Sequence, residues 1–68
     1  MREIPIRGEM IRLGQLLKLA DLVEVGSDAK LLLDDSLVTV NGEVEQRRGR
    51  QLHRGDVVAV DDESVRVA

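Results

Sequence analysis

Residues 37–45 read LVTVNGEVE. Apolar and polar residues alternate on both sides of Asn41-Gly42, a pair that readily takes the positive φ of a tight turn, so the stretch predicts a β-hairpin. Two registers fit it. A two-residue Asn41-Gly42 loop pairs Thr39 with Val44 and sets Val38 opposite Glu45. A three-residue Val40-Asn41-Gly42 loop pairs Val38 with Val44 and puts Gly42 at the left-handed position. The faces favour the second, because it sets two valines across from each other on one side of the hairpin.

Toward the N-terminus, Ser27 is placed to cap a helix over 28–35, with Ala29, Leu32 and Leu33 as its buried stripe and Asp28 at the positive end of its dipole. Gly26 breaks the chain before it. The segment IRLGQLLKLADLVEVG, residues 11–26, places Leu13, Leu16, Leu17 and Ala20 at the i, i+3, i+4, i+7 spacing of a helix with one apolar face. Gly14 weakens its first turn by up to about 1 kcal/mol relative to alanine. Ile4 and Ile6 share one side of an extended stretch, but Pro5 between them has no N–H to give to a ladder, so this is a short edge strand at most.

Toward the C-terminus, Gly55-Asp56 marks a turn, 57–60 a strand, 61–64 a polar turn and 65–67 a last strand. Helices and strands are segregated along the chain. The fold class is therefore α+β, two short helices packed on one face of a small, mainly antiparallel sheet. Residues 1–68 read as one domain.

Composition narrows the chemistry. Phe, Tyr, Trp and Cys are all absent, so the core is aliphatic and no disulfide or thiolate metal site helps to hold so small a chain. Ten Lys+Arg stand against thirteen Asp+Glu. No apolar run reaches the roughly 20 residues that span a membrane, and the first residues lack a signal-peptide pattern, which makes a cytoplasmic location the expectation.

The charge is nevertheless polarised. Arg47, Arg48, Arg50 and Arg54 fall within eight residues, with His53 among them and no acid between. Local field rather than net charge decides whether a phosphate backbone is attracted. A solvated loop is the plainer account, and Glu43 or Glu45 could neutralise Arg47 or Arg48. Lys30, near the start of the second helix, opposes the helix dipole unless an anion sits beside it. Without aromatic rings the protein cannot stack splayed bases on rings, and stacking on arginine is the weaker alternative, which turns the reading toward phosphate and sugar on a structured RNA.

The run GSDAKLLLDDSLVTVNGEVEQRRGRQLHRGDVV, residues 26–58, resembles the S4-type RNA-binding domain, of the short stand-alone bacterial kind. The resemblance extends over about residues 12–60. It rests on Arg12-Leu13 opening the first helix, Ser27 and Ala29 in the second, Val40-Asn41-Gly42 ending a strand, and Gly55-Asp56-Val57-Val58 opening another. It implies a fold that docks on structured RNA of the ribosomal or transfer-RNA class, with the ribosome as one setting. The family's RNA surface carries over to Arg12, Ser27, Lys30, Asn41 and the basic residues after Val44. Gly26 stands where many members have arginine, and Asp28, Asp34 and Asp35 make the second helix acidic. These departures shift the weight to the segment from Arg47 to Arg54, including His53.

Catalysis finds no support in the sequence. His53 is the sole histidine, and no nucleophile, base and orienting group can be assembled. Asp34-Asp35 and Asp61-Asp62-Glu63 lack the convergence of oxygens that a hard cation needs. No cofactor is implied, and a monomer is the default. The contrasting reading is a protein-interaction module that uses Ile4–Ile6 or Val65–Val67 as an exposed sheet edge, or the acidic helix face for a basic partner.

Overall fold

The computed structural model describes residues 1–23 and 26–68, the side chains of residues 26 and 27 excepted. The chain runs β1 (Arg2–Ile4), β2 (Ile11–Arg12), α1 (Leu13–Leu19), α2 (Gly26–Asp34), β3 (Val38–Val40), β4 (Glu43–Val44), β5 (Gln51–Leu52), β6 (Val57–Val60) and β7 (Glu63–Val67). Five strands form one sheet in the order β1-β7-β6-β3-β4, and β2 pairs with β5 in a separate ribbon. All pairings are antiparallel except β1 with β7. The α+β architecture is as expected.

Alternation along the strands builds the core. Val38, Val40, Val58, Val60, Val65 and Val67 are buried, while Thr39, Val57, Ala59 and Ser64 between them are only partly covered. The register brings Val38 opposite Val60, Val40 opposite Val58 and Val58 opposite Val65. Leu13, Leu16, Leu17 and Ala20 of the first helical segment and Ala29 and Leu33 of the second join these valines in one cluster. Each fully buried valine or leucine contributes about 1.5–3 kcal/mol against exposure, so the aliphatic cluster is the main stabilising element of a chain without aromatics or disulfides.

Both helices end in the same way. Asp21 (φ 59°) and Ser36 (φ 59°) take the left-handed conformation. Asp21 N–H donates to the Lys18 carbonyl and Leu22 N–H to Leu17; Ser36 N–H donates to Leu33 and Leu37 N–H to Leu32. These are paired Schellman closures, with aspartate and serine where glycine is usual. The first helix therefore stops well before Gly26, and α2 starts at Gly26 rather than after Ser27. Lys30 is the fifth residue of α2, beyond the first turn, so the conflict with the dipole expected for it is relieved. The capping role expected of the Ser27 side chain lies outside the described residues.

The hairpin takes the first of the two registers. Thr39 pairs with Val44 and Val40 with Glu43, around a two-residue loop with Asn41 at φ 52° and Gly42 at φ 89°. The three-residue loop fails because Val44 has no apolar face to reach: it is 58% exposed. Glu45, by contrast, is buried beside two arginines, and its N–H donates to the Val38 carbonyl at 3.0 Å.

Two further expectations change. The turn after β6 is Asp61-Asp62 alone, since Glu63 and Ser64 already pair in β7. Val65–Val67 is no edge, because β1 covers one side of β7 and β6 the other. The edge strand at the N-terminus is Arg2–Ile4, ending where Pro5 begins.

Candidate nucleic-acid interface

The basic segment is a loop bound by its backbone to the start of α1. The first N–H groups of a helix have no partner within the helix. Here Leu13 N–H donates to the Arg50 carbonyl at 2.8 Å, and Gly14 N–H to the Arg48 carbonyl at 2.9 Å. Arg12, which precedes the helix, donates from Nη1 to the Gly49 carbonyl at 2.9 Å, and its own N–H reaches the Gln15 side chain at 3.2 Å. The β2–β5 ribbon adds Ile11 opposite Leu52 and Arg12 opposite Gln51. The arginines thus project from a loop stitched to a helix on one side and continued by a strand on the other.

Two grooves flank this loop and share Gly49. The first, of about 450 Å³, is bordered by Arg12, Lys18 and Arg48, with Gly14 and Ala29 among its other lining residues. The second, of about 710 Å³, is bordered by Arg47, Arg50, Gln51, His53 and Asp56. Among the described residues the ion pairs are those of Glu45, whose Oε1 accepts from Arg47 Nη2 at 3.3 Å and from Arg50 Nη1 at 2.8 Å. Hydrogen bonds from Arg47 and then Arg50 outweigh the effect of burial and hold the Glu45 carboxyl at about 2, well below its ordinary 4.5. Glu45 in turn raises the already high value of Arg47.

Of the expected residues, Arg12, Arg47, Arg48, Arg50 and His53 are brought together around the loop. Arg54 sits in the adjoining turn and donates from Nη2 to the Ile6 carbonyl at 3.0 Å, tying that turn to the segment after β1. Lys30 is exposed on α2 and borders neither groove. Asn41 is committed to the fold. Its amide nitrogen donates to Asp56 Oδ1 at 3.1 Å, and its Oδ1 accepts the Val57 N–H at 2.9 Å. Burial would raise the Asp56 carboxyl, but the His53 N–H, the Asn41 amide and the His53 and Arg50 charges together leave it lowered. The Ser27 side chain lies outside the described residues. Lys18 was not expected in the site. It follows Gly14 by one helical turn, so the i, i+4 spacing sets it on the groove side of α1.

Among the described residues, no group of three or more His, Asp or Glu is placed to hold a metal ion. No helix among them is long and apolar enough to cross a membrane.

A family model described as the S4 domain matches residues 4–68. The chain is also 52% identical over 58 residues to a protein of Bacillus subtilis (strain 168) named probable ribosome maturation protein RlbA, a match that spans 85% of this chain and 82% of the relative.

Proposed function

The chain belongs to the S4 domain family, and from that premise we propose that it is a non-enzymatic protein that docks on structured RNA through the loop from Arg47 to Arg54. Arg12, Lys18 and Arg48 would meet phosphates along one groove, and Arg47, Arg50 and His53 along the other. Lys30, Arg54 and the Ser27 end of α2 would extend the contact. Asn41 would hold the hairpin beside it. The observation that carries this reading is the pinning of the Arg48 and Arg50 carbonyls on the start of α1, which fixes a cationic ridge on a rigid element. An unfixed basic loop would lose much of its charge advantage to ordering on binding.

The RNA is of the ribosomal or transfer-RNA class, and the name of the Bacillus relative favours the ribosome as the setting. The protein acts as a cytoplasmic monomer without a cofactor. The test is simultaneous replacement of Arg47, Arg48 and Arg50 by glutamine, with circular dichroism to establish that the fold persists. Binding to ribosomal RNA and transfer RNA should fall by more than an order of magnitude. Unchanged binding by the folded variant would reject the assignment and leave a protein-interaction module as the better reading. Crosslinking in cells, with sequencing of the bound RNA, identifies the target.

A further inference from the structure

We propose that Glu45 is the positioning residue of this basic loop, holding Arg47 and Arg50 as a pair set to grip one phosphate, so that removing its negative charge weakens polyanion binding. The inference rests on the RNA-binding reading above.

Glu45 is the buried charged side chain among the described residues, at 8% exposure. A carboxylate is withdrawn from water only where cations and donors compensate it. Both of its oxygens are occupied. Oε1 accepts from Arg47 and Arg50 together, and Oε2 accepts the N–H groups of Gln46 at 3.1 Å and Arg47 at 3.2 Å and the Arg47 Nε at 3.3 Å. Glu45 therefore fixes the backbone as the chain leaves the hairpin, and also the two guanidinium groups beyond it. The loop carbonyls are fixed separately, by α1.

Two guanidinium groups on one carboxylate leave a surplus of one positive charge. Each has five N–H donors, and Glu45 takes only some of them. Because both touch the same oxygen atom, the pair is suited to one anion held between them rather than two set apart. An arginine side chain surrenders much rotamer freedom when it is fixed on a ligand. Attachment to Glu45 meets part of that loss before RNA arrives, which is the gain of preorganisation.

Simple electrostatics predicts the reverse. Deleting a carboxylate beside a phosphate site removes repulsion and should tighten binding. The two accounts separate in a comparison of Glu45→Gln with Asp62→Asn, a change of equal charge in the turn between β6 and β7. Each is titrated against labelled ribosomal RNA and bulk transfer RNA, after circular dichroism and thermal melting confirm the fold. Asp62→Asn should bind as tightly as the wild type or slightly more so. Glu45→Gln should bind roughly five- to tenfold more weakly.

If Glu45→Gln binds as tightly as Asp62→Asn, Glu45 is no positioning residue and the inference falls while the RNA reading stands. If the wild type binds neither RNA, the RNA reading itself falls. Should Glu45→Gln fail to fold, Glu45→Asp tests the same point. It keeps the charge and both arginines but is one methylene short of the two guanidinium groups. Weaker binding supports the positioning role, and unchanged or tighter binding overturns it.

Discussion

The stem of Arg48 lies directly over the backbone of Gly14. A Cβ at position 14 would overlap Arg48 Cγ and come within 3.0 Å of Cδ and 3.5 Å of the Arg48 carbonyl oxygen. That carbonyl accepts the Gly14 N–H. A residue that weakens the first turn of α1 in isolation is thus the one that lets the basic loop close on the helix. The loss of helix propensity and the gain of a docked loop belong to the same position.

Gly14→Ala tests this coupling. Alanine should gain up to about 1 kcal/mol of helix propensity, but overpacking against a near-backbone part of a side chain costs about 1–3 kcal/mol. The net expectation is a loss of about 1 kcal/mol in urea unfolding, together with weaker RNA binding as the loop is pushed off. In an Arg48→Ala background the obstruction is gone, and the same substitution should stabilise. Equal effects in the two backgrounds would show that the contact carries no energy.

Asn41 gives a prediction about the hairpin. Its φ of 52° costs most residues about 1–2 kcal/mol, and its side chain bonds Asp56 and the Val57 N–H. Asn41→Gly keeps the backbone conformation and loses the bonds, at about 1 kcal/mol. Asn41→Ala loses both and should cost about 2–3 kcal/mol. Denaturant unfolding orders the three proteins, and equal stability of the glycine and alanine variants would contradict the role of the left-handed turn.

How far the sequence foretold these features depends on whether the signal was local. The alternating valines and the i, i+4 leucines announced their elements because each period reports one buried face. The hairpin turn was visible in Asn41-Gly42, but its register was not. Register depended on whether Val44 or Glu45 faced inward, and Glu45 is stabilised inward by Arg47, Arg50 and the Gln46 N–H, partners that follow it in the chain and carry no period. The helix ends were hidden because Asp21 and Ser36 occupy positions where glycine is the usual sign. Two-residue strands such as β2 and β5 carry no period at all. In the site, the arginine cluster stood out by composition. Lys18 did not, because it joins Arg12 and Arg48 only once the loop lies across α1.

Arg48 yields the most direct reading of phosphate contact. It is exposed and, unlike Arg47 and Arg50, it makes no ion pair among the described residues. Arg48→Gln should weaken binding to every structured RNA by a similar factor. It should also lower the magnitude of the slope of log affinity against log salt by about 0.7–0.9, the contribution of one neutralised phosphate. Titrations between 50 and 200 mM salt, on the order of the range over which such slopes are read, supply the measurement. A weaker but salt-parallel curve would mean that Arg48 acts through packing on Gly14 rather than on RNA.

Acid titration should reveal Glu45. Its folded-state value of about 2 lies below the ordinary 4.5, because Arg47 and Arg50 favour the ionised form more than burial opposes it. Between those two values the unfolded chain binds a proton at this position that the folded protein refuses, so stability rises with pH across that window. The stabilisation is complete above about pH 4.5, declines as pH falls toward 2, and is absent below it. Asp56, also lowered, adds loss of the same sign. Glu45→Gln removes the first contribution and leaves the second. The difference in unfolding free energy between wild type and Glu45→Gln, followed by urea denaturation from pH 7 to 2, should therefore be constant down to about pH 4.5 and shrink below it. The carboxylates that both proteins share cancel in this difference, so a gap that stays level through the acid range would mean that the Arg47–Glu45–Arg50 cluster does not hold in solution.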